Sequence, residues 1–369
     1  MSTLRTRMTG AAALLLAIAA CSKDATGPTT ISNPASAMAS LNGVDSTFAT
    51  PAFQSFLAVT GSFNGSPAAP FGHVGALLRA TAPRIPGSSG APNGPALGAA
   101  LRTLAGVMSS VEAILPDSLL GKTFVWDTIQ AKYVVSADTG APSNGIRFLL
   151  YEVDSTGNIG TPLTQVGRLD LIDKSTAGTQ SLEVVVASNT FTYVDYTVSG
   201  SGTRSAFTLT AAGFIRNTRR ELDFSITYSL SGSAYAIHEQ FDDTADQLHL
   251  TFSFGITVTS DTSTAVTLGF TYQVGSQSIE ISGGGAINAL TESLAGSVKV
   301  NGNTFALITA IGIRGTPATV TDAHGNPLSA DDRLLLLRMF DIVGHALGWL
   351  NYFVQPFVNL TVIGVLLSL

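Results

Sequence analysis

Between residues 122 and 313 apolar and polar positions alternate with a period of two. Residues 222–230 do so without a fault: Leu222, Phe224, Ile226, Tyr228 and Leu230 share one side, Asp223, Ser225, Thr227 and Ser229 the other. Residues 248–258 and 266–274 repeat the pattern, and shorter stretches at 146–153, 166–172, 182–187, 191–198, 207–215, 294–300 and 304–313 follow it. Successive side chains of a strand point to opposite faces, so this alternation predicts strands with one apolar and one polar side. Turn-forming runs such as DSTGN, SGSG, FDDTAD, SDTS and NGN separate them. About ten strands joined by short turns predict a large antiparallel meander, either a curved sheet or a half-barrel.

The period is different on either side of that region. In 41–59, Thr50 before Pro51 suits a helix N-cap followed by a first-turn proline, with Phe53, Phe56 and Leu57 as its apolar face. In 95–115, Leu97, Leu101, Leu104, Val107, Met108 and Val111 recur at spacings of three and four, and Pro116 closes the segment. A third helix is expected over 331–354, opened by a capping box of Ser329 and Asp332. From Ile342 to Leu369 the chain carries no charge, and Pro356 divides that run. Taken together the pattern predicts an α+β, mainly β domain over 41–369, its sheet packed on N-terminal and C-terminal apolar helices (41–59, 95–115 and a helical region 329–369).

The first residues fix an address. Arg5 and Arg7 precede an apolar stretch, Ala11 to Ala20, too short to span a bilayer as a helix. It ends in Ile18-Ala19-Ala20-Cys21, and Cys21 is the single cysteine of the chain. This resembles the signal peptides of bacterial lipoproteins, in which a small-residue lipobox stands immediately before the cysteine that is lipidated. The resemblance implies that residues 1–20 are removed, that Cys21 becomes an acylated N-terminus, and that Ser22 after it directs the protein to the outer membrane. Residues 21–40 then read as a polar, Pro-containing tether.

Removal of 1–20 leaves 17 basic and 25 acidic residues, a net charge of −8. That excludes the basic footprint that nucleic acid requires. Charged residues make up only 12 % of the chain while 45 % are apolar, which suits a sheet with Ser and Thr outward and disfavours disorder.

Two protease resemblances fail on their chemistry. GHALG at 344–348 is similar to the centre of the metzincin zinc helix, H-E-x-x-H-x-x-G-x-x-H. With His345 as its second histidine, the first falls on Asp341, the glutamate on Ile342 and the third histidine on Asn351. Asp341 and His345 read instead as an i, i+4 pair on the polar stripe of an apolar helix. Asp138-Thr139-Gly140 resembles the aspartic-protease signature, whose mechanism needs two aspartates sharing a proton, and this chain has one such triplet inside a run of turn formers. Asp138 is the residue on which a hydrolase reading would rest. The five histidines, His73, His238, His249, His324 and His345, have no metal-ligand spacing, and Asp242, Asp243 and Asp246 read as a solvated hairpin tip before a calcium loop. No catalytic residue, metal or cofactor is expected.

A sheet with one apolar face must cover it. In outline the expected architecture is similar to the periplasmic lipoprotein-carrier and mycobacterial lipoprotein families, where a half-barrel encloses acyl chains. That resemblance implies a membrane-anchored lipoprotein binding a lipid or other apolar ligand between sheet and helices, with Arg338 and His345 as head-group contacts. A structural or surface-interaction lipoprotein with a filled core is the plainer alternative. An integral outer-membrane barrel is another, since strands of nine to eleven residues suit a tilted membrane strand.

Overall fold

The computed structural model describes residues 46–62 and 114–336, apart from 155–156, 204, 261–262, 289, 314–318, 331 and 335. Cys21, Arg338, His345 and the segments 95–113 and 337–369 lie outside the described residues.

One sheet of fifteen strands organises the molecule, in the order β15-β14-β13-β12-β11-β10-β9-β8-β7-β6-β5-β4-β3-β1-β2. The first four strands are β1 (Thr123–Asp127), β2 (Lys132–Ser136), β3 (Gly145–Tyr151) and β4 (Gln165–Asp173). Then come β5 (Thr179–Ala187), β6 (Thr192–Thr203), β7 (Ala206–Arg216), β8 (Glu221–Ser231) and β9 (Ala234–Asp243). The remainder are β10 (Leu248–Ser260), β11 (Ser263–Val274), β12 (Gln277–Asn288), β13 (Thr291–Val300), β14 (Asn303–Ile313) and β15 (Thr319–Thr321). From β3 to β15 each strand pairs antiparallel with its successor, joined mostly by short turns, and β1 alone pairs parallel, with β3 through Thr123–Arg147 and Phe124–Phe148.

This corrects the expected α+β architecture. Among the described residues the protein is nearly all β, with fifteen strands in place of about ten. Of the two long apolar helices expected to flank and cover the sheet, the greater part lies outside the described residues, and the described part forms no long helix on it. Ile114 and Leu115, expected as the last turn of the first, are buried in a bend before the 3₁₀ turn Asp117–Leu119, and the Ile114 amide donates to Asp173 Oδ2 at 3.1 Å. Pro116 is extended (φ −62°, ψ 138°), which ends any helix before it. The described part of the second is one short stretch. There the Asp332 amide donates to Ser329 Oγ at 3.2 Å, and Leu336 is buried.

What does pack on the sheet is the helix α1 (Pro51–Ser62), which lies against β3 to β6. Thr50 Oγ1 accepts the Phe53 amide at 3.4 Å, and Phe53 and Phe56 are fully buried, with Phe48 edge-on to Phe53 at 5.2 Å.

The core is the inner face of the sheet. In β8, Leu222, Phe224 and Ile226 are buried and Glu221, Asp223 and Ser225 are exposed, so the alternation read from sequence becomes an inside and an outside. Across the strands the inner positions line up in rows: Val198 opposes Ala211, Ala211 opposes Ile226, and Phe252 opposes Phe270. The outer face is charged and hydrogen-bonded. Arg147 Nε and Nη2 donate to the two oxygens of Asp170 at 2.6 and 2.8 Å, and the Arg216 guanidinium sits between the rings of Phe191 and Phe214 at 4.8 and 4.9 Å.

Candidate ligand face of the sheet

Two inner rows next to one another differ in how they are closed. The first runs Ala211, Ile226, Glu239, Phe252, Phe270 over β7 to β11, and every member is at most 2 % exposed. The second runs Tyr228, Ile237, Phe254, Leu268, Gly283, Gly296 over β8 to β13. Here Ile237 is buried, but Tyr228, Phe254, Leu268 and both glycines are half-buried. In a third row, beyond, Tyr235 and Val266 are buried, while Ile256, Gly285 and Leu294 are half-buried too. The apolar face thus continues past the closed core as a partly open apolar patch.

Glycine shapes that patch. A Cβ on Gly285 would stand 1.8 Å from the Ser293 carbonyl oxygen, and one on Gly283 would stand 2.8 Å from that of Ala295. Only residues without side chains let β12 and β13 approach so closely here. The same absence leaves the inner surface at Gly283, Gly285 and Gly296 without side-chain bulk.

One polar group stands at the edge of the patch. Glu239 points to the inner face between Ile226 on β8 and Phe252 on β10, and it is 0 % exposed. Neither carboxyl oxygen has a hydrogen-bond partner. Burial pushes its pKa well above the ordinary carboxylate value, so the group is held neutral. Tyr228, in the neighbouring row, is itself pushed up, by burial first. Tyr235, next to Ile256, is raised by burial alone.

A second inner acid on the same strand shows what compensation looks like. Asp243 is 1 % exposed, and Arg220 Nη1 lies 2.9 Å from its Oδ2, close enough for an ion pair though not aligned as a hydrogen bond. The other oxygen accepts the Ala245 amide at 3.0 Å, and Arg220 also pairs with Asp246. Asp242 Oδ1 lies 2.5 Å from His249 Nδ1 on the outer face. The acids of that hairpin therefore face basic side chains of the protein, and among the described residues no group of three or more metal-ligating side chains comes together.

Asp138 is placed in an exposed turn. Ser136 Oγ donates to its carboxylate at 2.8 Å, and the Asp138 amide is 3.1 Å from the same oxygen. His238 is exposed on the outer face of β9, and His324 is exposed beside Asp322. The structure brings none of these together. Glu239, Tyr228 and Tyr235 carry the chemistry of the inner face, and sequence reasoning passed over all three as site residues. The available signal was an acid in the register Tyr235, Ile237, Glu239, Phe241, where period two places an apolar residue.

No protein-family model matches this chain, and neither a curated protein nor a solved structure is significantly similar to it.

Proposed function

We propose that this protein is a lipid-anchored envelope module that takes up an apolar ligand on the inner face of its sheet, with no chemical step. The observation that carries the reading is the apolar face that passes from a closed core into a half-open patch at Phe254, Ile256, Leu268 and Leu294. Large apolar surface left accessible on a protein marks a binding site for another apolar body. The lipobox-like segment ending at Cys21 supports the tether, because it places the domain beside a membrane from which such ligands come. The polarity of the sheet supports a globule over a membrane barrel: most of its large apolar side chains are buried, with Leu307, Ile311 and Ile313 of β14 among the exposed exceptions, whereas a membrane barrel turns its apolar face outward to lipid.

Mass spectrometry under native conditions, on protein gently extracted from membranes, tests the reading. A co-purifying apolar mass, and restored occupancy when the stripped protein is offered diphenylhexatriene, are the expected results. A ligand-free protein that leaves diphenylhexatriene dark overturns it.

A further inference from the structure

Resting on that reading, we infer that Glu239 is the polar contact of the ligand site and that the ligand is a long apolar chain ending in a hydrogen-bond donor, an amino or hydroxyl group. Buried polar side chains are paired in nearly all native structures, and an unpaired one calls for an explanation. Among the described residues Glu239 is the one buried carboxyl with both oxygens unpartnered. It has no cation comparable to Arg220 beside Asp243, although the two acids share a strand and a face.

Position turns this into a site. Glu239 lies in the last closed row, directly across from Phe252 and one row behind Phe254. Diagonal neighbours on one face of antiparallel strands stand roughly 7–8 Å apart, within reach of a ligand head group pushed past Phe254. The apolar chain would lie over Leu268 toward Gly283 and Gly285, where the missing side chains leave room. Neither Tyr228 nor Tyr235 pairs with the acid, since both of its oxygens are without a hydrogen-bond partner. The protonated carboxyl lacks both an acceptor for its O–H and a donor for its carbonyl oxygen. An amino or hydroxyl head can meet both, whereas an ester head, an acceptor only, leaves the carbonyl oxygen unpaired, and an alkane meets neither.

The test uses the full chain carrying Cys21→Ser, with diphenylhexatriene as the fluorescent occupant. Dodecylamine, dodecanol, methyl dodecanoate and dodecane compete for the site. The amine and the alcohol should displace it at about tenfold lower concentration than the ester or the alkane, the ratio that one good hydrogen bond to a buried acid provides. In Glu239→Met, which keeps the bulk and removes the polar head, that preference should collapse to near unity while diphenylhexatriene still binds, and Glu239→Gln, which keeps an acceptor and a donor, should retain part of it. If the probe binds but all four compete equally, or if the preference survives in Glu239→Met, the assignment of Glu239 is wrong and the apolar site stands. If the probe does not bind the parent chain, the ligand-binding reading itself falls.

Discussion

Glu239 sits in the fold at a cost, and that cost depends on pH. Below about pH 4.5, its ordinary carboxylate value, the acid is protonated both folded and unfolded, so burial carries no ionisation penalty. Above that value the unfolded chain releases the proton while the folded chain keeps it. Stability contributed by this group is therefore full at low pH and is lost as pH rises toward the raised folded value, at about 1.4 kcal/mol per pH unit for one proton. Glu239→Gln removes the titration. Denaturant midpoints of the two chains measured from pH 4.5 to 7 should diverge steadily, with the variant gaining relative to the parent. Parallel curves would mean that Glu239 is already ionised and paired in the folded protein. Glu239→Met removes the titration in the same way and is also expected to abolish the head-group preference, so this residue sets ligand selectivity against stability.

At the scale of single strands, legibility followed side-chain pattern. Strands such as β8, β10 and β11, where inner Leu, Phe, Ile and Tyr alternate with Ser, Thr and Asp, could be located from the sequence alone. Those that escaped each lack the signal for a physical reason. In β9 an inner acid breaks the apolar series at Glu239 and again at Asp243. In β12 the run Gly283-Gly284-Gly285 has no side chains to alternate. β1 and β2 span five residues each and β15 only three, too few to establish a period. The same acid that hid β9 also hid the candidate site, because a Glu in a strand reads by default as an outward residue. The glycine run makes a test of its own. Gly285→Ala puts a methyl group 1.8 Å from the Ser293 carbonyl oxygen, so β12 and β13 must part, and overpacking of this kind costs about 1–3 kcal/mol or more. Gly157→Ala meets no atom within 4 Å, although its φ of +84° strains the backbone of any other residue. Thermal unfolding should show Gly285→Ala as clearly the more damaging of the two. Equal losses would show that β12 and β13 relax around the added methyl group and that their close approach does not require glycine.

For the molecule as a whole, the distribution of polarity decides how it can meet a membrane. The sheet buries its apolar side and turns outward a surface bearing the Arg147–Asp170–Arg168 group, the Asp242–His249 pair and rows of Ser and Thr. Moving that surface into hydrocarbon would strip water from charges and hydroxyls that have no apolar replacement. No helix among the described residues is long and apolar enough to cross a bilayer, and that says nothing of a β-barrel. The burial of the apolar face does bear on a barrel, because a membrane-spanning sheet presents that face to lipid. On the proposed reading, attachment rests on the acyl chains that the lipobox-like sequence implies for Cys21, each buried methylene contributing about 0.8 kcal/mol. Cys21→Ser removes all of that anchorage and nothing from the sheet. The substituted chain, exported through an ordinary secretory signal, should leave the membrane fraction and be recovered in the soluble envelope fraction, with its strand content by circular dichroism unchanged. The parent should stay with membranes through an alkaline carbonate wash. A Cys21→Ser chain that also resists the wash would be held by its strands, and the inside and outside assigned to this sheet would have to be exchanged.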